Sequence, residues 1–142
     1  MTTIRTVGVC GAGGTMGAGI AIVAARGGFR TISYDVSAES LERAAKQTAN
    51  FFAKSVERGK LTSDERDAIL ARMEHTTKID DLAACDLVIE AVFEDLEIKQ
   101  NLLRELDRVC PTHTIFASNT STLSITEIAS GCSRPDKVVG MH

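Results

Sequence analysis

Residues 7–17 read V-G-V-C-G-A-G-G-T-M-G, and this stretch constrains the fold more than any other. Ile4–Cys10 is a strand pattern that runs directly into glycines, and Met16–Gly27, rich in Ala, Ile and Val, follows as a buried helix. Strand, glycine turn and helix in immediate succession describe the first half of a parallel βαβ unit. The turn needs residues without a Cβ, and the helix must pack closely on the strand it has just left. Arg30–Tyr34 supplies the second strand.

The arrangement has a chemical consequence. A helix that begins at such a turn offers unpaired N–H groups and the positive end of its dipole to a phosphate. Asp35 closes the second strand at the distance, about 20 residues, where the ribose-binding acid of such a unit is expected. A carboxylate there accepts hydrogen bonds from ribose hydroxyls and repels a 2′-phosphate. Residues 4–36 therefore predict a Rossmann-type unit that binds NAD rather than NADP, with Gly11, Gly13, Gly14, Thr15, Met16 and Gly17 around the phosphates. The spacing Gly11-x-Gly13-x-x-x-Gly17 is one residue longer than G-x-G-x-x-G. Either Gly14 is an insertion absorbed as a bulge, or Ala12, Gly14 and Gly17 supply the three positions. The first arrangement predicts that deleting Gly14 preserves or tightens NAD binding.

Beyond this unit, apolar runs keep alternating with helical patterns. Ser37 is an N-cap for a long helix reaching about Arg58, and Gly59 ends it. Thr62-Ser63-Asp64-Glu65 is a capping box opening a second helix to about Met73. Asp86–Val92 is a buried strand, and Leu96–Cys110 a helix with Leu102, Leu103, Leu106 and Val109 on one stripe. Thr114–Ala117 is a short strand, Ser118–Ser121 a polar turn, residues 124–130 a short helix and Lys137–Gly140 a last strand. Continuous rather than alternating apolar strands imply a parallel sheet covered on both faces. The expectation is one α/β domain over residues 1–142: a doubly wound, mostly parallel sheet with a helical-pair excursion at 37–73.

Composition narrows the partners. A net charge of −3, no Trp and one Tyr argue against a nucleic-acid surface. No run reaches bilayer-spanning length, so no membrane partner is expected. Cys10, Cys85, Cys110 and Cys132 have no C-x-x-C spacing and no accompanying His cluster. They read as free thiols of a cytoplasmic chain without a metal site.

In a doubly wound sheet, ligands bind beyond the carboxyl ends of the strands. Those ends fall here at Gly11, Asp35, Glu90–Glu94, Ser118–Ser121 and His142, so polar groups converge on one crevice. Singly each has a plainer reading: Glu94 as a helix N-terminal charge, Lys99 as a solvated side chain, Ser118–Ser121 as a hydroxyl-rich turn, His142 as a frayed end.

Together, residues 7–21 (VGVCGAGGTMGAGIA), 86–99 (DLVIEAVFEDLEIK), 115–123 (IFASNTSTL) and 139–142 (VGMH) resemble the NAD-binding domain of the 3-hydroxyacyl-CoA dehydrogenase family. The helical pair at 37–73 is similar to that family's excursion toward coenzyme A. The resemblance implies a hydride transfer from C3 of a (3S)-3-hydroxyacyl-CoA to NAD⁺, in fatty-acid or butyrate metabolism. It implies that the loop residues and Asp35 hold the cofactor, and that Val92, Phe93, Glu94, Lys99 and Asn119 line its cleft. Ser121 would sit near the nicotinamide, and His142 would be the catalytic base. Intact members are expected to be homodimers. Departures are the longer loop, Thr122 where a second Ser is common, and coenzyme A contacts for which only Lys54 and Lys60 offer themselves. The family's glutamate that orients the histidine and its C-terminal helical domain are absent from residues 1–142. This segment alone is therefore expected to have little activity.

Overall fold

The computed structural model describes residues 3–142. Six strands form one sheet: β1 (Thr6–Cys10), β2 (Arg30–Tyr34), β3 (Met73–Thr76), β4 (Leu87–Glu90), β5 (Ile115–Ser118) and β6 (Val138–Gly140). Their spatial order is β3-β2-β1-β4-β5-β6, and every pairing is parallel, so the expected "mostly parallel" sheet is wholly so among the described residues. The order reverses between β1 and β4, and a crevice opens beyond the carboxyl ends of strands at such a point.

Five helices connect the strands: α1 (Thr15–Arg26), α2 (Ala38–Glu57), α3 (Ser63–Ala71), α4 (Leu96–Val109) and α5 (Ile125–Ala129). Local signals placed several of their ends. The Ser37 hydroxyl accepts the N–H of Ser40 at 3.1 Å and starts α2. Thr62 and Glu65 form the reciprocal capping box of α3. Gly59, at φ +71°, ends the α2 segment.

Two expectations need correction. The second helix of the pair stops at Ala71, and residues 73–76 are the edge strand β3. The expected helical pair is present and forms the crossover from β2 to β3; the strand that follows it was not expected. Met73-Glu74-His75-Thr76 is only half-buried because β3 has one neighbour, so it carries no apolar run to announce it. Glu74 instead pairs with Arg30 of β2 at 2.5 Å. Helix α1 is not buried all round either: Gly17, Ala21 and Ala25 face the sheet while Val23 is 71% exposed.

The core lies on both faces of the sheet. Leu82, Val88, Leu103, Leu106, Phe116 and Ile128 form one cluster, and Val7, Val9, Ala21, Leu41, Ile89 and Ala117 form another. Phe52 of α2, fully buried with Ala25 and Ile69, fastens the helical pair to α1. Burying a ring of that size stabilises by roughly 1.5–3 kcal/mol. Among the described residues the four cysteines are free; Cys10, Cys85 and Cys110 are buried and Cys132 is half-buried. No described helix is long and apolar enough to cross a membrane.

Candidate cofactor-binding site

A cleft of about 760 Å³ opens at the reversal point, walled by the 11–16 loop, the β2 end from Tyr34 to Ser37, residues 91–93 and the α4 face. Two glycines shape its floor. Gly11 sits at φ +78°, where an added Cβ would lie 2.6 Å from the Ala91 carbonyl oxygen; one on Gly17 would lie 2.2 Å from the Gly11 carbonyl oxygen. Gly17 thus lets α1 approach the turn it leaves. Gly13 is also closed in, but Gly14 has its nearest neighbour at 3.5 Å, and Ala12 carries its methyl group buried in the core. Of the two loop arrangements, the structure adopts the one in which Gly11, Gly13 and Gly17 take the crowded places and Gly14 is the residue with room.

Helix α1 begins differently from the others. Ser37, Thr62, Asp95 and Ser124 each cap their helix with a side-chain oxygen, whereas Gly14 caps α1 with none, and its first turn holds no acidic residue. The N–H groups at that end face the cleft without an internal acceptor, which is what an anion needs. Asp35 lies in the cleft wall with both carboxylate oxygens engaged: Oδ2 accepts the Gly13 N–H at 2.9 Å and Oδ1 the Ser37 N–H at 3.0 Å. Lone pairs remain on each oxygen for further donors. The lining includes Asp35 and Glu105 and, among the described residues, no Lys or Arg.

Next to the cleft lies a buried charge network that the sequence reading did not single out. Glu90, at the end of β4, and Lys99, on α4, are each 1% exposed. Lys99 Nζ donates to Glu90 Oε1 at 2.7 Å and Oε2 at 2.8 Å, and lies 3.3 Å from Glu94 Oε1. Glu90 also accepts from the Ser118 hydroxyl at the end of β5 and from the Val92 N–H at 3.2 Å. Glu94 reaches across to the next turn, accepting the Thr120 hydroxyl at 2.7 Å and the Ser121 N–H at 3.1 Å. The Thr120 hydroxyl foremost, then the Ser121 N–H and the Lys99 charge, hold the Glu94 carboxyl below its ordinary range. The network therefore ties β4, β5, α4 and the 119–121 turn into one unit. Asn119 joins it through its N–H to the Glu90 carbonyl at 2.9 Å, and the Met141 N–H bonds the Ser118 carbonyl at 2.9 Å.

The expected site residues thus fall into three groups. Gly11, Gly13, Gly14, Thr15, Met16, Asp35, Val92 and Phe93 line the cleft. Gly17 lies beneath its floor. Glu94, Asn119 and Ser121 belong to the network at the ends of β4 and β5, and His142 follows Met141, whose N–H bonds Ser118; none of the four lines the cleft. Lys99 is neither solvated nor a cleft wall: it is buried under the site, because Glu90 supplies the counter-charge inside. The reading missed Val36, Ser40, Ile98 and Leu102 as lining. Val36 and Phe93 are each 82% exposed, Met16 61% and Ile98 44%, so an apolar rim surrounds the cleft. Leu102 belongs to the α4 stripe that periodicity assigned to the core, and Ile98 lies one turn before it.

NAD fits what is present: a Cβ-free cradle, a helix end with open donors, and an acid at the ribose position with no cation beside it. The family described as "3-hydroxyacyl-CoA dehydrogenase, NAD binding domain" matches residues 6–142. A 3-hydroxyadipyl-CoA dehydrogenase of Escherichia coli (strain K12) is 46% identical over 142 residues, 100% of this chain and 30% of that protein. A fatty acid oxidation complex subunit alpha of Shewanella amazonensis is 44% identical over 131 residues, 92% of this chain and 19% of that protein. The crystal structure of a 3-hydroxybutyryl-CoA dehydrogenase from Escherichia coli K12 superposes with a TM-score of 0.96 at 46% identity, covering 99% of this chain and 30% of that one. The chain spans a third or less of each of these three proteins. Loop, acid, sheet order and these likenesses agree, and the chain belongs to the 3-hydroxyacyl-CoA dehydrogenase family as its NAD-binding domain.

Proposed function

We propose that residues 1–142 supply the cofactor half and the catalytic histidine of an NAD-dependent dehydrogenase of (3S)-3-hydroxyacyl-CoA, acting in cytoplasmic fatty-acid or butyrate metabolism. The observation that carries this reading is the clamp of Glu94 on the 119–121 turn. It holds the Thr120 hydroxyl and the Ser121 N–H at the turn that leaves β5, and β6, paired with β5, leads into His142. Bound NAD⁺ supplies the acceptor for the hydride that leaves C3. The chain's own groups do the rest. The loop N–H groups hold the pyrophosphate, and Asp35 receives the adenosine ribose hydroxyls. The apolar rim of Val36, Phe93 and Ile98 shields the adenine, and the Ser121 hydroxyl steadies the substrate's C3 oxygen. The His142 imidazole takes the proton of the 3-hydroxyl as the C–H bond breaks, a task suited to the side chain that exchanges protons near neutral pH. Lys54 and Lys60, both exposed, are the groups offered to coenzyme A phosphates. The working enzyme is a homodimer on this reading.

Calorimetric titration with NAD, together with NADH formation from (3S)-3-hydroxybutyryl-CoA, tests it. The expected result is NAD binding with a turnover far below that of a full-length relative, of which residues 1–142 match a third or less. A chain that binds no NAD overturns the proposal. A rate equal to that of a full-length relative overturns the expectation of low activity.

A further inference from the structure

Glu90 lies outside the cleft, yet its bonds lead to both segments that leave β4 and β5. Oε1 accepts from Lys99 Nζ at 2.7 Å and from the Ser118 hydroxyl. Oε2 accepts from Lys99 Nζ at 2.8 Å and from the Val92 N–H at 3.2 Å. All four acceptor places of the carboxylate are thus taken. Its carbonyl accepts the Asn119 N–H at 2.9 Å. The Lys99 ammonium has three protons and meets three carboxylate oxygens, the third being Glu94 Oε1 at 3.3 Å. Glu94 in turn holds the Thr120 hydroxyl and the Ser121 N–H.

Two charges that are each 1% exposed are a poor way to gain stability. Their desolvation cancels much of their attraction, and an apolar pair of similar volume commonly serves as well. An apolar pair cannot aim hydrogen bonds, however. Here every bond of the buried carboxylate and every proton of the buried ammonium is directed, and together they converge on one turn.

We propose that Glu90 is a positioning residue: from beneath the site it sets the place of the 119–121 turn, directly through Ser118 and Asn119 and indirectly through Lys99 and Glu94. It touches neither cofactor nor substrate. Its effect on binding rests on the reading that Ser121 acts near the nicotinamide.

Glu90→Leu with Lys99→Met removes both charges and keeps the volume. This variant is expected to melt within about 5 °C of the native chain. Its amide hydrogen exchange is expected to rise roughly tenfold at Asn119 and Ser121, the scale of one hydrogen bond to a charged group, and to stay at the native rate at Val9 of β1. In calorimetry it is expected to bind NAD about tenfold more weakly, and ADP-ribose, which lacks the nicotinamide, within about twofold of native, because the glycine loop and Asp35 are untouched. A loss of stability alone would not separate these amides or these ligands. If the apolar pair does not fold, Glu90→Gln with Lys99→Met takes its place. That variant keeps an acceptor for Ser118 but breaks the link to Glu94, and the rise at Ser121 and the split between the ligands are expected again. A folded variant whose Ser121 exchange stays within about twofold of native overturns the inference, since such a change is well below that of one hydrogen bond. Equal weakening of NAD and ADP-ribose overturns it as well. A native chain that binds neither ligand overturns the NAD reading, and amide exchange then decides the positioning role by itself.

Discussion

The two edges of the sheet each carry an aspartate that receives backbone N–H groups, and they differ in what lies beside it. At the amino edge, Asp86 Oδ2 accepts from Arg5 at 2.9 Å and Thr6 at 3.0 Å, and its Oδ1 meets His113 Nε2 at 2.9 Å. It joins the starts of β1, β4 and β5. At the carboxyl edge, Asp35 makes the same kind of bond to Gly13 and Ser37. Asp86 lies outside the cleft, whereas Asp35 forms part of its wall. The same carboxylate chemistry thus serves cohesion at one edge and recognition at the other. What separates the roles is vacant volume next to the acid and the absence of a competing cation.

Glu90 tests the carboxyl edge most severely. Glu90→Ala leaves the Lys99 ammonium buried without its main partner, and urea denaturation is expected to show a loss of about 3–5 kcal/mol. The paired change Glu90→Leu with Lys99→Met is expected to recover most of that loss. A single-variant loss below about 1 kcal/mol would mean that Lys99 finds another partner or water.

The aspartates come next, and they should separate. Asp86→Ala is expected to cost about 1–3 kcal/mol, because the Thr6 N–H it satisfies is buried, and to leave NAD affinity unchanged. Asp35→Ala is expected to weaken NAD binding at least tenfold, roughly the value of a hydrogen bond to a charged group, with a smaller effect on stability. Equal effects on both measurements would erase the distinction between the edges. Acid titration sharpens it. The Arg5 N–H first, then His113 and the Thr6 N–H, hold the Asp86 carboxyl below the ordinary aspartate range. Its stabilising contribution is therefore complete above the unfolded aspartate value, about 3.9, and disappears as pH falls through the lower folded value. Asp86→Asn should flatten that acid limb of the stability curve. The smallest effect is at Ser37, whose hydroxyl caps α2 beside Asp35 while its N–H holds the acid. Ser37→Ala keeps the N–H and is expected to cost about 1 kcal/mol in thermal denaturation, with NAD affinity little changed.

Much of this was legible in the sequence because the signals were local. Arg30–Tyr34 reads as a strand and is one, Ser37 and Thr62–Glu65 cap the helices they precede, and a glycine turn between strand and helix has few other uses. What stayed hidden depends on partners distant in the chain. Strand β3 is polar because an edge strand needs only one buried side. Glu90 reads as an ordinary strand end, and its role appears only when Lys99 and Ser118 are brought to it by α4 and β5. For the same reason Lys99 looked exposed. The loop spacing allowed two arrangements until Ser40 and Asp35 showed which glycines were crowded.

The distribution of thiols gives the molecule an internal clock for unfolding. Burial pushes the Cys85 thiol up to about 12 and the Cys110 thiol to about 11, and it raises Cys10 as well, so these sulfurs are both shielded and held in the unreactive form. Cys132 is only half-buried. An alkylating reagent should therefore modify the native chain first at Cys132, at the far end of α5 from the loop. The other three should be consumed at the rate at which the sheet opens, and a bound dinucleotide should slow that rate without touching the first.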